Sequence, residues 1–521
     1  MSRRRLAAVC IAALGLLSPD IASAAKRSEP LRYQIAIRDP GSRIAEVRAV
    51  IPTSGDSTVD LMMPVWSPGF YRVEDYAGKV SGLEARGEDG ANLAVSRPQS
   101  NVWTIAAGKR DRIVVTYRLL CDRRSVTTNE IAQDYAVLNP AGTLIAPRRT
   151  VQGRRSPIEI ALEIPSGWTA MTALPRQSDG ALNRFVGADY ETTVDSPILA
   201  GRLSVHSFEA AGATHVFADA GEIGTWDGAR AARDLPKIVA EAGRFWGSVP
   251  FKRYVFLNVF RQGGGGLEHK DSSLLTANAS RLSTPSAYVG WLGFVTHEYV
   301  HAFNVKRLRP VELGPFDFEK PPRTANLWIS EGLTTYVADL LVRRAGLSTR
   351  DEYLAGLSAQ IRNLQKQPGR LIQTVEQSSL EVWDNSLSGV NPTERTVSYY
   401  VKGAVLGFLL DARIRKATNE RRSLDDLMRE AYKRYSGARG FKTAQFQNTA
   451  SEVAGEDLSA WFRKAVASTD ELDYEEALDW FGLRFADTSD ADRQWTIEAR
   501  ADATSDQQRR LAAWIGSLSP E

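Results

Sequence analysis

Trp291-Leu-Gly-Phe-Val-Thr-His297-Glu298-Tyr-Val-His301-Ala-Phe-Asn304-Val-Lys306-Arg-Leu-Arg309-Pro310 is the stretch from which the rest of the chain is read. Trp291, Phe294 and Val295 recur at helical spacing, so a helix is expected here. At about 3.6 residues per turn, His297 and His301 fall one turn apart on the same face. Two neutral imidazoles so placed can bind one metal ion, and Glu298 beside them can reach a water on that ion. The chain has five histidines, and three of them (His269, His297, His301) fall in the window 269–301. The competing reading is a helix with two surface histidines and a solvated Glu; a third ligand decides between them.

Downstream, a loop rich in proline and charge (309–323) leads to Asn326-Leu-Trp328-Ile-Ser330-Glu331-Gly332-Leu-Thr-Thr335-Tyr336. This reads as a second helix with Asn326 or Ser330 near its start. Packed against the first, it brings Glu331 to the metal. Two His and one Glu leave the fourth zinc position open, which is the catalytic and not the structural arrangement. Alternatively, Glu331 is only a first-turn residue favoured by the helix dipole. Ser398-Tyr399-Tyr400-Val-Lys402-Gly403 opens an apolar helix, and Ser423-Leu-Asp-Asp426 another with capping-box character. Residues 457–465 and 474–485 read as helical and 495–501 as a strand.

Upstream, Tyr254-Val-Phe-Leu-Asn-Val-Phe260 has strand length and leads into Gln262-Gly-Gly-Gly265-Gly266-Leu267-Glu268-His269. Four glycines ordinarily mean a flexible loop. Glycine also lets backbone approach a ligand closely, and Glu268 just after the run can anchor a substrate's charged end. Residues 226–246 read as a helix kinked or delayed by Pro236. From 31 to about 201, apolar and polar residues alternate, as at Ala45, Val47, Ala49 and Ile51, with turn-rich pieces between. Many short strands without helices point to a β-sandwich-like domain.

The chain starts Met1-Ser-Arg3-Arg4-Arg5, continues with an apolar run to Leu17 and then Ala22-Ser23-Ala24. That is the pattern of a secretory signal peptide cleaved after Ala24, its apolar run too short for a permanent membrane anchor. Without residues 1–24 the formal charge falls from +3 to +1, since three arginines and Asp20 leave, so nucleic-acid binding is not expected. Cys10 leaves too, and Cys121 stands alone. A bacterial periplasm fits an exported chain with no disulfide. The division expected is a signal peptide 1–24, a β-rich domain 25–221, a catalytic domain 222–470 and a short C-terminal segment 471–521. No membrane insertion is expected after signal cleavage, and oligomeric state is not set by the sequence.

The combined stretches resemble the glycyl-aminopeptidase family of exported gluzincin metallopeptidases. The matching elements are Met63-Pro-Val-Trp66-Ser-Pro-Gly69-Phe-Tyr71, Gly265-Gly-Leu-Glu268-His269, the 297–310 stretch, Trp328-Ile-Ser-Glu331-Gly-Leu-Thr-Thr-Tyr336 and Ser398-Tyr-Tyr400-Val-Lys-Gly403. The resemblance implies a β-rich N-terminal domain before a thermolysin-like catalytic domain. It implies one Zn²⁺ on His297, His301 and Glu331, with Glu298 as general base. Tyr400, or its neighbour Tyr399, would be the oxyanion donor. Glu268 would pair with the α-ammonium of a peptide with a free N-terminus, Gly265 and Gly266 would offer backbone, and small first residues (Gly, Ala) would be preferred. Relatives usually continue into a PDZ domain, for which 471–521 is too short. Thermolysin-like relatives carry Asp four residues after the third ligand where this chain has Thr335, so the groups that orient the histidines must differ. The rival readings are an endopeptidase with Glu268 structural, a catalytically inactive peptide-binding protein, and a structural zinc site.

Overall fold

Alternation builds the N-terminal part. In Ile44–Pro52 the residues Ala45, Val47, Ala49 and Ile51 are all buried and their neighbours face outward. This strand pairs antiparallel with Arg112–Leu120 and with Leu31–Ala36, at the centre of a seven-stranded sheet. Two four-stranded sheets pack against it around one apolar core that includes Tyr33, Leu61, Trp103, Ile145 and Ile198. Cys121 is a buried free thiol in that core. The computed structural model describes residues 29–384, 389–490 and 493–516, so the expected signal peptide lies outside the described residues.

A five-stranded mixed sheet opens the second part, in the order Ser204–Ala210, Ala213–Gly221, Arg253–Phe260, Ser272–Ala277, Gly265–Glu268. Its first two strands form a hairpin whose turn residues, Ala211 and Gly212, both have positive φ, the conformation that matches strand twist in two-residue turns. Residues 204–221, placed with the N-terminal strands by the sequence reading, therefore hydrogen-bond into the sheet of the second part, because Ala213–Gly221 runs parallel to Arg253–Phe260. The helix Gly228–Trp246 makes the crossover between these parallel strands. It starts before Pro236 and continues through it.

The remainder is helical. Ser398 caps Tyr399–Thr418 by accepting from the Val401 amide, and Ser423 and Asp426 form the expected capping box. The segment expected as helix over 474–485 divides into a helix Glu475–Trp480 and a strand Leu483–Phe485, the latter paired with Ile497–Ala499. Gly482, at φ +66°, breaks the helix between them. A last helix, Ser505–Ile515, docks through Trp514, whose indole donates to the Tyr336 hydroxyl at 2.7 Å and stacks on Phe481. No helix among the described residues is long and apolar enough to cross a membrane.

Candidate metal and peptide site

Pro285–Val300 begins at an N-cap, Thr284, with Pro285 in the first turn. His301 follows in helical conformation, its amide donating to the His297 carbonyl at 3.2 Å. The chain then turns so that the Asn304 carbonyl accepts from His301 Nδ1 at 2.9 Å. That bond puts a proton on Nδ1, so Nε2 is the ring atom turned toward the metal position. The Thr335 hydroxyl donates to the Glu331 carbonyl at 3.0 Å, so toward His297 Nδ1, 3.3 Å away, it acts as acceptor. The same tautomer results. Thr335 thus takes over the histidine-orienting role that an Asp fills elsewhere.

The two Nε2 atoms stand 2.9 Å apart, and Glu331 Oε2 is 3.1 Å from His301 Nε2 and 3.5 Å from His297 Nε2. Zinc–nitrogen and zinc–oxygen bonds of about 2.0–2.1 Å in a tetrahedron place donors about 3.3 Å apart. The triangle has that size. Glu331 Oε1 is buried without a hydrogen-bond partner. Burial opposes a charge on His301, but Glu331 and Glu268 outweigh it and push its pKa up to about 10. Burial also opposes ionisation of Glu331, yet His301 and His297 bring it down to about 2. Three buried carboxylates (Glu268, Glu298, Glu331) around two imidazoles call for positive charge at this point. The donors present fit zinc.

Glu331 does not sit in an ordinary α-helix. Trp328–Gly332 is a π-helical turn that passes into the α-helix Leu333–Arg344. Asn304 stabilises it, since its amide donates to the Ile329 carbonyl at 2.8 Å and to Thr334 Oγ1 at 2.9 Å. Carbonyls that the wider turn leaves over are thereby satisfied. Gly332 crosses Gly403 backbone to backbone, which brings Tyr399–Thr418 against the π turn. The Tyr400 ring lies 6.1 Å from that of His297 and is half-buried; Tyr399 is stacked behind it at 4.8 Å and is almost fully buried. Of the two tyrosines, Tyr400 faces the site.

The glycine run is half loop and half edge strand: Gly263 and Gly264 belong to the bend before the strand, whereas Gly265–Glu268 pairs antiparallel with Ser272–Ala277, Glu268 opposite Ser273. A carboxylate oxygen of Glu268, one of Glu298 and a ring nitrogen of His301 all lie within 4.8 Å of one another. Burial raises the Glu268 pKa to about 7, against the charges of His301 and Lys306. A Cβ on Gly266 would collide with the Glu298 carboxylate, so glycine here lets that side chain lie against the strand. Gly265, at φ +151°, faces Val126 of the N-terminal part.

Two N-terminal residues close the site, and neither was given a role by the sequence reading although both belong to a quoted stretch. Gly69, at φ +98°, packs so tightly that a Cβ would lie 2.5 Å from Glu268 Oε1. The buried Tyr71 faces the same cluster, its hydroxyl pushed well up by burial and then by the charges of Glu331 and Glu268. Trp66 fastens this segment: its indole donates to the Asp317 carbonyl at 2.8 Å, and its ring and that of Tyr71 each meet Trp383 edge-on. Seven of the eight predicted site residues are therefore in one cluster, joined by Gly69, Tyr71, Asn304 and Thr335, and Gly265 begins the strand that leads to it.

Comparison with known proteins points to a peptidase family. Residues 32–202 match the model of the peptidase M61 N-terminal domain, and residues 290–406 that of the M61 glycyl aminopeptidase, together more than half of the chain. None of the curated proteins searched matches it. Among solved structures, an aminopeptidase N family protein from Idiomarina loihiensis is similar, with 27% identity and a TM-score of 0.82 over 87% of this chain and 78% of that one. An M1 zinc metallopeptidase from Deinococcus radiodurans has 13% identity and a TM-score of 0.52 over 86% of this chain and 95% of its own. Yeast LTA4 hydrolase has 12% identity and a TM-score of 0.54 over 86% and 68% respectively. The last two are similar in fold alone.

Proposed function

The chain belongs to the M61 glycyl aminopeptidase family, a family of peptide hydrolases, and on that premise we propose that it is a zinc enzyme removing the first residue of short peptides. His297, His301 and Glu331 would hold one Zn²⁺ per chain, which when bound supplies the Lewis acidity that polarises the scissile carbonyl and acidifies water. Glu298 takes the proton of the attacking water and returns it to the leaving amine. Tyr400 donates a hydrogen bond to the carbonyl oxygen as negative charge grows there. Glu268 pairs with the peptide's α-ammonium, and Gly265 and Gly266 present backbone to the chain that follows. Gly69 packs against the Glu268 carboxylate, which supports a peptide chain that ends there, and the family match supports a small first residue such as Gly or Ala. The basic and apolar start of the sequence supports export to a bacterial periplasm.

One observation carries this reading: Glu268 stands beside the metal triad at the end of the glycine strand, capped by Gly69. A blocked N-terminus would leave that buried carboxylate without its cation, at a cost of several kcal/mol on the order of 3. Metal analysis and hydrolysis of a Gly- or Ala-initiated peptide, free and N-acetylated, test it. Expected are one zinc per chain, loss of activity on chelation, and cleavage of the free peptide only. Equal rates on both peptides would sink the exopeptidase role and make the enzyme an endopeptidase.

The oxyanion donor is tested separately. Tyr400→Phe is expected to lower kcat roughly a hundredfold with little change in KM, and Tyr399→Phe to lower it far less. The reverse order would transfer the role to Tyr399.

A further inference from the structure

The turn after Glu268 is held by groups that the proposed mechanism does not use. Asp195, just beyond the short helix Tyr190–Val194 of the N-terminal part, accepts three hydrogen bonds. Its Oδ1 receives Lys306 Nζ at 2.6 Å and His269 Nδ1 at 3.2 Å, and its Oδ2 receives the Lys270 amide at 2.8 Å. Lys306 comes from the turn behind the histidine helix, its amide bonded to the His301 carbonyl at 3.1 Å. Arg307 grips the same turn, donating to the Lys270 carbonyl and to Asp271 Oδ1, each at 2.7 Å. Three separate parts of the chain thus meet immediately behind the residue proposed to bind the substrate's amine.

The Asp195–Lys306 pair is costly to build. The side chains are only 13% and 6% exposed. Burial disfavours both charges, but Lys306 and His269 hold Asp195 well below the usual carboxylate range, and Asp195 with Glu268 keeps Lys306 above its ordinary value. Both remain ionised. A well-packed apolar pair in such a place is often at least as stable, so stability alone does not account for it. The location does: Lys306 and His269, the residue directly after Glu268, converge on the same Asp195 oxygen, and the ammonium acts on Glu268 as well as on Asp195. Asp195, Glu268 and, more weakly, Glu191 therefore compete for one buried cation, and the short contact goes to Asp195.

We infer that Asp195 is a positioning residue that sequesters Lys306 and so leaves the Glu268 carboxylate free for a substrate's α-ammonium. Without the Asp195 charge, Lys306 turns to Glu268 and occupies the amine subsite from within. The N-terminal part of the chain then has a direct share in recognition of the free N-terminus. This inference rests on Glu268 being the amine anchor.

Asp195→Asn keeps the shape and the acceptor for the Lys270 amide but removes the charge. KM for a free Gly-initiated peptide is expected to rise about tenfold or more, with kcat changed much less. In a Glu298→Gln background the dissociation constant of the same peptide should weaken by a similar factor, without any turnover. The decisive variant is the double one, Asp195→Asn with Lys306→Met: once the ammonium is gone, KM should recover toward the wild-type value. A purely structural role predicts the opposite, since a second lesion in one buried network makes the first worse. An unchanged KM in Asp195→Asn, or a double variant poorer than the single one, would overturn the inference. Equal cleavage of free and acetylated peptide by the wild type would instead overturn the anchor role of Glu268, so the two failures are distinguishable.

Discussion

Glu298→Gln is expected to lower kcat by about three orders of magnitude while zinc content and fold stay as in the wild type. The substitution preserves volume and removes the one property the proposed reaction needs from this residue, a carboxylate that can take up and release a proton. Glu298 is only 5% exposed and lies between Gly266 and the histidines. It does not belong to the His297–His301–Glu331 triangle, so the donor atoms for the metal are untouched. Burial raises its pKa well above the ordinary value; His301 opposes this, and the charges of Glu268 and Glu331 add to it. Replacing one of three crowded carboxylates by a neutral amide relieves repulsion, so the variant's stability at neutral pH should equal or exceed that of the wild type. Steady-state kinetics on a free dipeptide, metal analysis and thermal unfolding on the same preparation check all three statements. Residual activity within tenfold of the wild type would mean that another group handles the proton.

The candidate metal site was legible in the sequence because it is local. His297 and His301 are four residues apart, and a helix of any context places them on one face. Ser398 and Ser423 announced their helices because a cap is a contact between residues three apart. In Ile44–Pro52, alternation gave the buried face residue by residue. What failed to show depends on partners far along the chain. Ser204–Ala210 has the look of the strands before it, and only its pairing through Ala213–Gly221 with Arg253–Phe260 assigns it to the other sheet. Four glycines carry no side-chain pattern, so nothing local marked the last two, Gly265 and Gly266, as the start of an edge strand. The π turn at Trp328–Gly332 is likewise invisible, since its residues suit an α-helix and the wider geometry is stabilised by Asn304 from another element. Gly69, Tyr71 and Asp195 reach the site from about 70 to 240 residues away. Of these, only the Ser67-Pro-Gly69 turn offered a local signal, and it spoke of a bend and not of a carboxylate beside it.

Gly332→Ala should damage stability and catalysis together, and the reason is space alone. The residue is helical, so by intrinsic propensity alanine would be the better choice. A Cβ at that position, however, would meet the backbone of the facing helix: the Gly403 Cα closest of all, the Gly403 carbonyl carbon at 2.7 Å and the Tyr399 carbonyl oxygen at 2.8 Å. The approach is reciprocal, a Cβ on Gly403 lying 2.7 Å from Gly332 Cα and from the Trp328 carbonyl oxygen. These are backbone atoms, so no rotamer change relieves the clash. Asn304 pins the π turn on one side and the buried face of Tyr399–Thr418 fixes the other, so the two helices have to separate. Overpacking of this kind costs on the order of 3 kcal/mol. Glu331 precedes Gly332 on one helix and Tyr400 leads the other, so the separation acts directly on the distance between a proposed ligand and the proposed oxyanion donor. A displacement of about 1 Å lowers the rate roughly a hundredfold. Gly356→Ala is the control: it also lies within a helix, Arg350–Gln365, but nothing stands within 4 Å of its added Cβ. There the propensity gain should appear unopposed, as a stabilisation of about 0.5–1 kcal/mol with normal kinetics. Thermal unfolding and kcat/KM measured on both variants separate the two effects of one added methyl group. If Gly332→Ala behaved like Gly356→Ala, the close crossing of the helices would not be what holds Glu331 and Tyr400 in register.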